Sequence, residues 1–201
     1  MIDAATISAA AATVLAAIQL VPQVIRLRRL GSAAGISPTW ALLGASINSG
    51  WVVYRWSQEL WLGIPSPVIA AALYVVTLVM IGRLHPKMRW ATFAVVALVG
   101  SICGAAAAGG WLAVGTVLAL SSGAQAAPSL WVAFRTRNPI GVAPQVWLIG
   151  LTQALLWGHY GWWYGDTALK LYAATTAVAS TAMLIRFAHV SRRLASVGAS
   201  T

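Results

Sequence analysis

The chain is 201 residues long; 60% of its residues are hydrophobic and only 8% are charged. Its mean hydropathy of +0.79 excludes an ordinary water-soluble domain and predicts an integral membrane protein. The formal net charge is +10. No polar stretch is long enough to form a separate basic domain, so we expect these charges to contact anionic lipid head groups and not nucleic acid.

Seven apolar segments are long enough to cross a membrane as helices. A hydrocarbon core of about 30 Å requires roughly 20 apolar residues per helix, and lipid cannot satisfy exposed backbone groups. The segments also lack the alternation of barrel strands. The predicted fold is therefore an all-α membrane protein with spans at residues 4–27, 38–56, 62–82, 90–108, 111–134, 144–163 and 168–188.

Basic residues are concentrated on one side of this predicted bundle. The first, third and fifth connections and the C-terminal tail carry three, three, two and three of them, together 11 of the 13 Lys and Arg residues. The other side carries only Arg55 and Lys170. The positive-inside rule then places the N-terminus outside and the C-terminus in the cytoplasm, in a multi-pass protein that we expect in the plasma membrane.

The sequence repeats itself after 106 residues. Residues 19–56 align without a gap to residues 125–162, and 10 of the 38 pairs are identical, including Trp51 with Trp157. An odd connector helix lets both copies start on the same side, as in parallel transporter repeats. The predicted organisation is a first three-helix repeat (1–82), a connector with helix four (83–110), a second repeat (111–190) and a cytoplasmic tail (191–201). In the connector, Gly104 belongs to a stripe of small residues that predicts close helix packing.

Each copy places one proline inside its first helix and one at the start of its second. Pro22 and Pro128 lie inside apolar runs, where proline removes a backbone hydrogen bond and bends a helix. Pro38 and Pro144 precede the second helices, where proline is tolerated in the first turn. We expect all four to act as hinges at one end of the bundle; a simple helix-start role is the alternative for Pro38 and Pro144.

The pair Pro22 and Gln23 in VPQV, a basic linker and then Ser37 and Pro38, duplicated around a connector helix, resemble the PQ-loop superfamily, and within it the SWEET and semiSWEET sugar transporters. The second copy departs from the motif, because it reads APSL after residue 126. The resemblance implies a carrier whose four prolines surround an inner gate. Other branches of this fold carry cystine or basic amino acids, or serve as cargo receptors.

Trp51 and Trp157 each follow the helix-start proline of their copy by 13 residues. At 1.5 Å per residue they lie roughly 20 Å deeper, away from the inner aromatic belt. Two indoles related by the repeat can sandwich a sugar ring, whose C–H faces suit aromatic stacking. The resemblance implies the same role, and lipid-facing or packing positions are the alternative.

Polar side chains within the spans are costly and therefore indicate function. Asn48 and Gln153 share a helix face with the two tryptophans and are candidate partners for solute hydroxyls, with interhelical hydrogen bonding as the alternative. Gln19 and Gln125 precede the first prolines and either satisfy backbone groups or line the path. His159 is a further path candidate that could relay protons, but its repeat partner is Val53, which favours a helix-packing role. The asparagine that the resemblance implies early in each third helix is missing.

The sequence thus predicts a transporter that moves a small neutral solute, above all a mono- or disaccharide, by facilitated diffusion with alternating access. The alternatives are an amino-acid transporter of the same superfamily and a non-transporting membrane receptor or assembly protein. No paired carboxylates, metal-ligand cluster or nucleophile with a base is present, so we expect no enzymatic activity, cofactor or metal. The expected partners are the solute and the lipid bilayer; homo-oligomerisation is left open.

Overall fold

The protein is almost entirely helical in a computed structural model that describes residues 3–30, 38–84, 89–135 and 144–198. The predicted basic linkers at 31–37, 85–88 and 136–143 and the end of the tail at 199–201 lie outside the described residues. A short 3-10 helix, Trp61–Gly63, joins the second and third α-helices. The α-helices are α1 (Ala4–Leu30), α2 (Pro38–Ser57), α3 (Pro65–Leu84), α4 (Arg89–Arg135), α5 (Pro144–Trp163) and α6 (Thr167–Gly198).

Helix α4 is broken at Gly110, whose φ of 62° and ψ of −152° are not helical. Glycine adopts this conformation readily because it has no Cβ. The break separates residues 89–109, here called α4a, from residues 111–135, called α4b. Apart from Ile64, which lies between the 3-10 helix and α3, every predicted span lies on helical residues, and the all-helical prediction is confirmed.

Four segments of the described chain are long and apolar enough to cross a membrane, by length and composition: Ala4–Val21, Trp61–Ile81, Ala106–Arg135 and Thr167–Val190. Helices α2 and α5 do not meet this measure, since they carry polar side chains such as Asn48, Arg55 and Gln153. These side chains face the protein interior, where polar groups in membrane proteins usually lie. The protein is a multi-pass membrane protein; the 3+1+3 arrangement, the domain boundaries and the orientation remain predictions.

Helix packing follows the 106-residue repeat. Helix α1 packs on α3 and α5, and α4 packs on α6 and α2; in addition α2 packs on α3, and α5 on α6. A shift of 106 residues converts α1, α2 and α3 into α4b, α5 and α6, and it converts each of these contacts into another of them. We call α1–α3 the first half and α4b–α6 the second half.

The turns that end α2 and α5 have the same backbone hydrogen bonds. Leu60 N donates to Arg55 O (2.9 Å), and Asp166 N donates to Gly161 O (2.8 Å). The residue before each of these donors, Glu59 (φ 57°) or Gly165 (φ 69°), has a left-handed backbone conformation. This is the Schellman motif, in which a left-handed residue lets the chain satisfy the last helical carbonyls. The repeat is therefore visible at the level of individual bonds.

Two aspartates cap helices. Asp3 Oδ1 accepts a hydrogen bond from Thr6 N (2.7 Å) at the start of α1, and Asp166 Oδ1 accepts one from Leu169 N (2.7 Å) at the start of α6. Both satisfy a backbone donor in the first helical turn. The hydrogen bonds from the Thr6 side chain and backbone also lower the pKa of the Asp3 carboxyl, since they favour its charged form.

The expected close packing at Gly104 is wrong for this chain. Among the described residues, a Cβ built at Gly104 would meet no atom within 4 Å, and Ala108 is exposed. Earlier in α4a, Leu98 and Ile102 pack on the core, whereas residues 106–110 are exposed.

Candidate solute cavity

A cavity of about 610 Å³ lies between the two halves. Its volume falls within the range of roughly 300 to 1,000 Å³ that is usual for small-molecule sites. Six residues singled out from the sequence are brought together in its lining. They are Gln19, Asn48, Trp51, Gln125, Gln153 and Trp157.

The lining itself follows the repeat. Most lining positions in the first half have a lining partner 106 residues later, so that equivalent helix faces meet across the cavity. Such pairs include positions 16 and 122, 19 and 125, 47 and 153, 51 and 157, 66 and 172, 70 and 176, and 74 and 180.

The two tryptophans occupy equivalent, buried places. Trp51 is 3% exposed and Trp157 is 2% exposed, so neither faces lipid. Trp51 packs edge-on against Tyr54 at 5.5 Å and 90°, and Trp157 packs against Tyr160 at 5.6 Å and 88°. These T-shaped contacts hold the indoles rigidly in the cavity wall. Their substrate-binding role remains a prediction.

Gln19 and Gln125 form equivalent ties between the halves. Gln19 Nε2 donates to the carbonyl of Val146 (3.4 Å), and Gln125 Nε2 donates to the carbonyl of Trp40 (3.1 Å). Positions 40 and 146 are themselves repeat partners. Both glutamines therefore bind backbone groups of the other half and line the cavity, and their place on a solute path remains a prediction.

Asn48 and Gln153 have unlike partners. Gln153 Nε2 donates to Gln19 Oε1 across the cavity wall at 3.1 Å. Asn48 Nδ2 donates to the carbonyl of Gly44, four residues back in its own helix, at 2.8 Å. Gln153 is thus part of an interhelical network, whereas Asn48 is tied only to its own helix among the described residues.

His159 is placed away from the cavity. Its Nδ1 lies 2.8 Å from Ser8 Oγ, and its ring lies 6.2 Å from that of Trp163. It is not among the described residues that line the cavity. This geometry favours the packing role over a place on the path.

Three of the hinge candidates can be located in full. Helices α2 and α5 begin at Pro38 and Pro144, which fits the helix-start role, and Pro128 lies inside α4. Pro22 lies inside α1, but its side chain lies outside the described residues. None of the first three lines the cavity, so a hinge role would act through helix bending and remains a prediction.

Arg55 is a charged lining residue that sequence reasoning missed. It is 4% exposed, and its guanidinium carbon lies 3.9 Å from the Trp157 ring centroid and 5.5 Å from that of Trp51. Its Nη1 donates to the carbonyl of Gly63. The signal was present: Arg55 follows Trp51 by four residues, so both lie on one helix face. Its position on the sparsely charged side of the bundle had suggested a surface residue.

Two tyrosines in the third helices were also missed. Tyr74 of α3 and Tyr172 of α6 both line the cavity. The Tyr172 ring lies 5.7 Å from Trp51. Positions 66, 70 and 74 and their partners at 172, 176 and 180 recur every four residues, a spacing that would have placed both tyrosines on the cavity face.

Comparison with protein-family models gives one match: the model of the PQ loop repeat matches residues 4–62, which comprise α1, α2 and the turn after them. The chain carries a PQ-loop repeat. The predicted PQ-loop repeat is thereby confirmed for residues 4–62, which supports the predicted relation to the PQ-loop superfamily. No curated protein matches this chain, so no named relative indicates a substrate.

Proposed function

We propose that this PQ-loop protein is a transporter that carries a small polar solute across a membrane, the plasma membrane in our proposal, by alternating access between its two halves. The observation that carries the proposal is the cavity at the interface of the halves, lined by equivalent faces of both. A site on the interface of two repeats is accessible from either side in turn if the halves rock against each other.

Burial differs between the ends of the cavity. Arg55, Trp51 and Trp157 are almost completely buried at one end, whereas Val146 at the other end is 42% exposed and Ser129 is exposed. The conformation thus supports a carrier whose cavity is closed at the Arg55 end and open at the other end, where the hinge prolines lie. Hinges at Pro22 and Pro128 would allow the reverse state.

The finer proposal is a sugar-like solute of SWEET type. The indoles of Trp51 and Trp157 offer apolar faces for ring C–H groups, and Asn48 and Gln153 offer amides for hydroxyls. The described lining contains no Asp or Glu, the residues expected in a proton relay. Facilitated diffusion is therefore the mechanism that the cavity supports.

Uptake of labelled solutes into proteoliposomes tests the proposal, with glucose, sucrose and neutral amino acids as the first panel. Trp51→Ala and Trp157→Ala should each reduce flux at least tenfold, because losing an aromatic contact surface costs roughly 1.5–3 kcal/mol and 1.4 kcal/mol is tenfold. Trp162→Ala is the matched control, since Trp162 is 77% exposed and does not line the cavity.

Size-exclusion profiles should show all variants folded. Folded wild-type protein that moves no solute, whether of this panel or of the acids named below, would contradict transport and favour the non-transporting receptor or assembly protein of the same fold. Flux that the control variant loses as fully as the cavity variants would contradict the location of the site.

A further inference from the structure

The cavity contains one charge. Among its described lining residues, Arg55 is the only one with an ionised side chain, and it is 4% exposed. A buried charge is strongly unfavourable unless it is paired and hydrogen-bonded. Proteins seldom keep such a group without either an internal counter-ion or a ligand.

Arg55 has no ion-pair partner among the described residues, since no carboxylate there lies within 4.0 Å of its guanidinium nitrogens. The Asp166 carboxylate acts on Arg55 electrostatically from farther away, and it accepts hydrogen bonds from Tyr54 Oη at 2.8 Å and from Leu169 N at 2.7 Å. The described contacts of Arg55 are the Gly63 carbonyl and the two indoles, and its Nε is buried without a hydrogen-bond partner.

We propose that Arg55 binds a carboxylate of the transported solute, which narrows the sugar-like solute proposed above to a small organic acid, such as a sugar acid. This inference rests on the proposed transport function and names its substrate class. The planar guanidinium matches a carboxylate with two parallel hydrogen bonds. The nearby indoles and amides would then hold the uncharged body of the solute.

The single positive charge selects among anions. One guanidinium neutralises one carboxylate, whereas a phosphate ester carries about −1.5 to −2 charges at neutral pH and would leave charge unpaired. The repeat partner of Arg55 is Gly161, so the second half adds no further cation. A monocarboxylate therefore fits the charge of the cavity.

Matched acid and neutral solutes test this directly. We would compare glucuronate with glucose, and lactate with lactamide, by uptake into proteoliposomes and by thermal stabilisation of the purified protein. The acid of at least one pair should be taken up at least tenfold faster than its neutral analogue. Arg55→Gln should remove this preference, with at least a tenfold loss of acid flux, because a hydrogen-bonded charge pair typically contributes tenfold to hundredfold in affinity.

Arg135→Gln is the matched control. Arg135 also stacks on a tryptophan, with its guanidinium carbon 3.8 Å from the Trp131 ring centroid, but it is exposed and lies outside the lining. Acid preference should persist in this variant. Arg55→Lys keeps the charge but not the planar guanidinium, and it should retain part of the acid flux. This variant keeps the test informative if Arg55→Gln does not fold.

The outcomes separate this inference from transport itself. Flux of neutral solutes that is equal to or greater than that of the acids, and indifferent to Arg55→Gln, would overturn the carboxylate site and leave transport standing. Acid stabilisation that depends on Arg55 without any flux would support the site and overturn transport. The absence of both thermal stabilisation and flux with every acid tested would overturn the carboxylate site.

Discussion

The two halves of the molecule agree where they build the frame, whereas most of their paired cavity positions differ. The frame positions 54 and 160 are both tyrosine, and the left-handed residues stand at 59 and 165. In the cavity wall, the tryptophans at 51 and 157 and the glutamines at 19 and 125 are shared. Among the lining positions, Ile47 in the first half corresponds to Gln153 in the second, and Ala16 corresponds to Ser122. Packing constrains equivalent frame positions in the same way, whereas each lining position can take its own chemistry.

The clearest difference is Arg55 in the first half against Gly161 in the second. A Cβ at Gly161 would lie 2.8 Å from the Leu169 Cβ and 3.2 Å from Lys170 N. Close approach of α5 to the start of α6 therefore excludes any side chain there. Among the described lining residues Arg55 is the only cation, and the equivalent position in the second half has no room for one.

The largest effect on stability is expected from Gly161→Ala, which adds a side chain at the position where only the first half has one. The new methyl group would meet a side-chain carbon and backbone atoms that cannot move aside, and overpacking of this kind costs roughly 1–3 kcal/mol of unfolding free energy. Thermal unfolding in detergent measures it.

Gly104→Ala is the control for that substitution. Nothing lies within 4 Å of its added Cβ, so it should leave stability unchanged or raise it by about 0.5–1 kcal/mol through helix propensity. Equal losses in both variants would show that α5 does not approach α6 as closely as described.

A smaller difference is expected between the two lining amides. Gln153→Leu leaves Gln19 Oε1 without the donor that lies 3.1 Å away. Because Gln19 is half-buried, this loss costs up to about 3 kcal/mol. Asn48→Leu removes only a bond to its own helix, worth about 0.5–1.5 kcal/mol.

Thermal unfolding and the KM of uptake are the measurements that compare these variants. We expect Gln153→Leu to lose more stability than Asn48→Leu. The opposite ranking in stability would indicate that Asn48, and not Gln153, holds the halves together.

The smallest effect is expected from Ser122→Ala, which makes the second half resemble the first at this position. Trp51 Nε1 would lose its hydrogen bond to Ser122 Oγ, which is long at 3.3 Å. We expect a loss below about 1 kcal/mol in stability and less than a fivefold change in uptake. A tenfold or greater loss of flux would mean that the Trp51 orientation depends on this one bond.

Much of the frame was predictable because it rests on periodic or repeated features. Long apolar runs predict helices, and the 106-residue repeat predicts which faces meet. Trp51 and Trp157 line one cavity in the structure, and their binding role stays a prediction. Tyr74 and Tyr172 were missed because they sit in apolar runs where only spacing distinguishes them. The broken helix at Gly110 was treated as a boundary between spans, which is what it is in the structure.

The amino-acid sequence by itself determined that this is a helical membrane protein with an internal repeat and a PQ-loop motif, because hydrophobic length and self-similarity are properties of the chain. Only the tertiary structure decided that Arg55 leaves the surface to lie against both indoles and that His159 binds Ser8 away from the cavity. These outcomes depend on which helices meet and how closely, and a residue's burial and partners are set by neighbours that are distant in the chain.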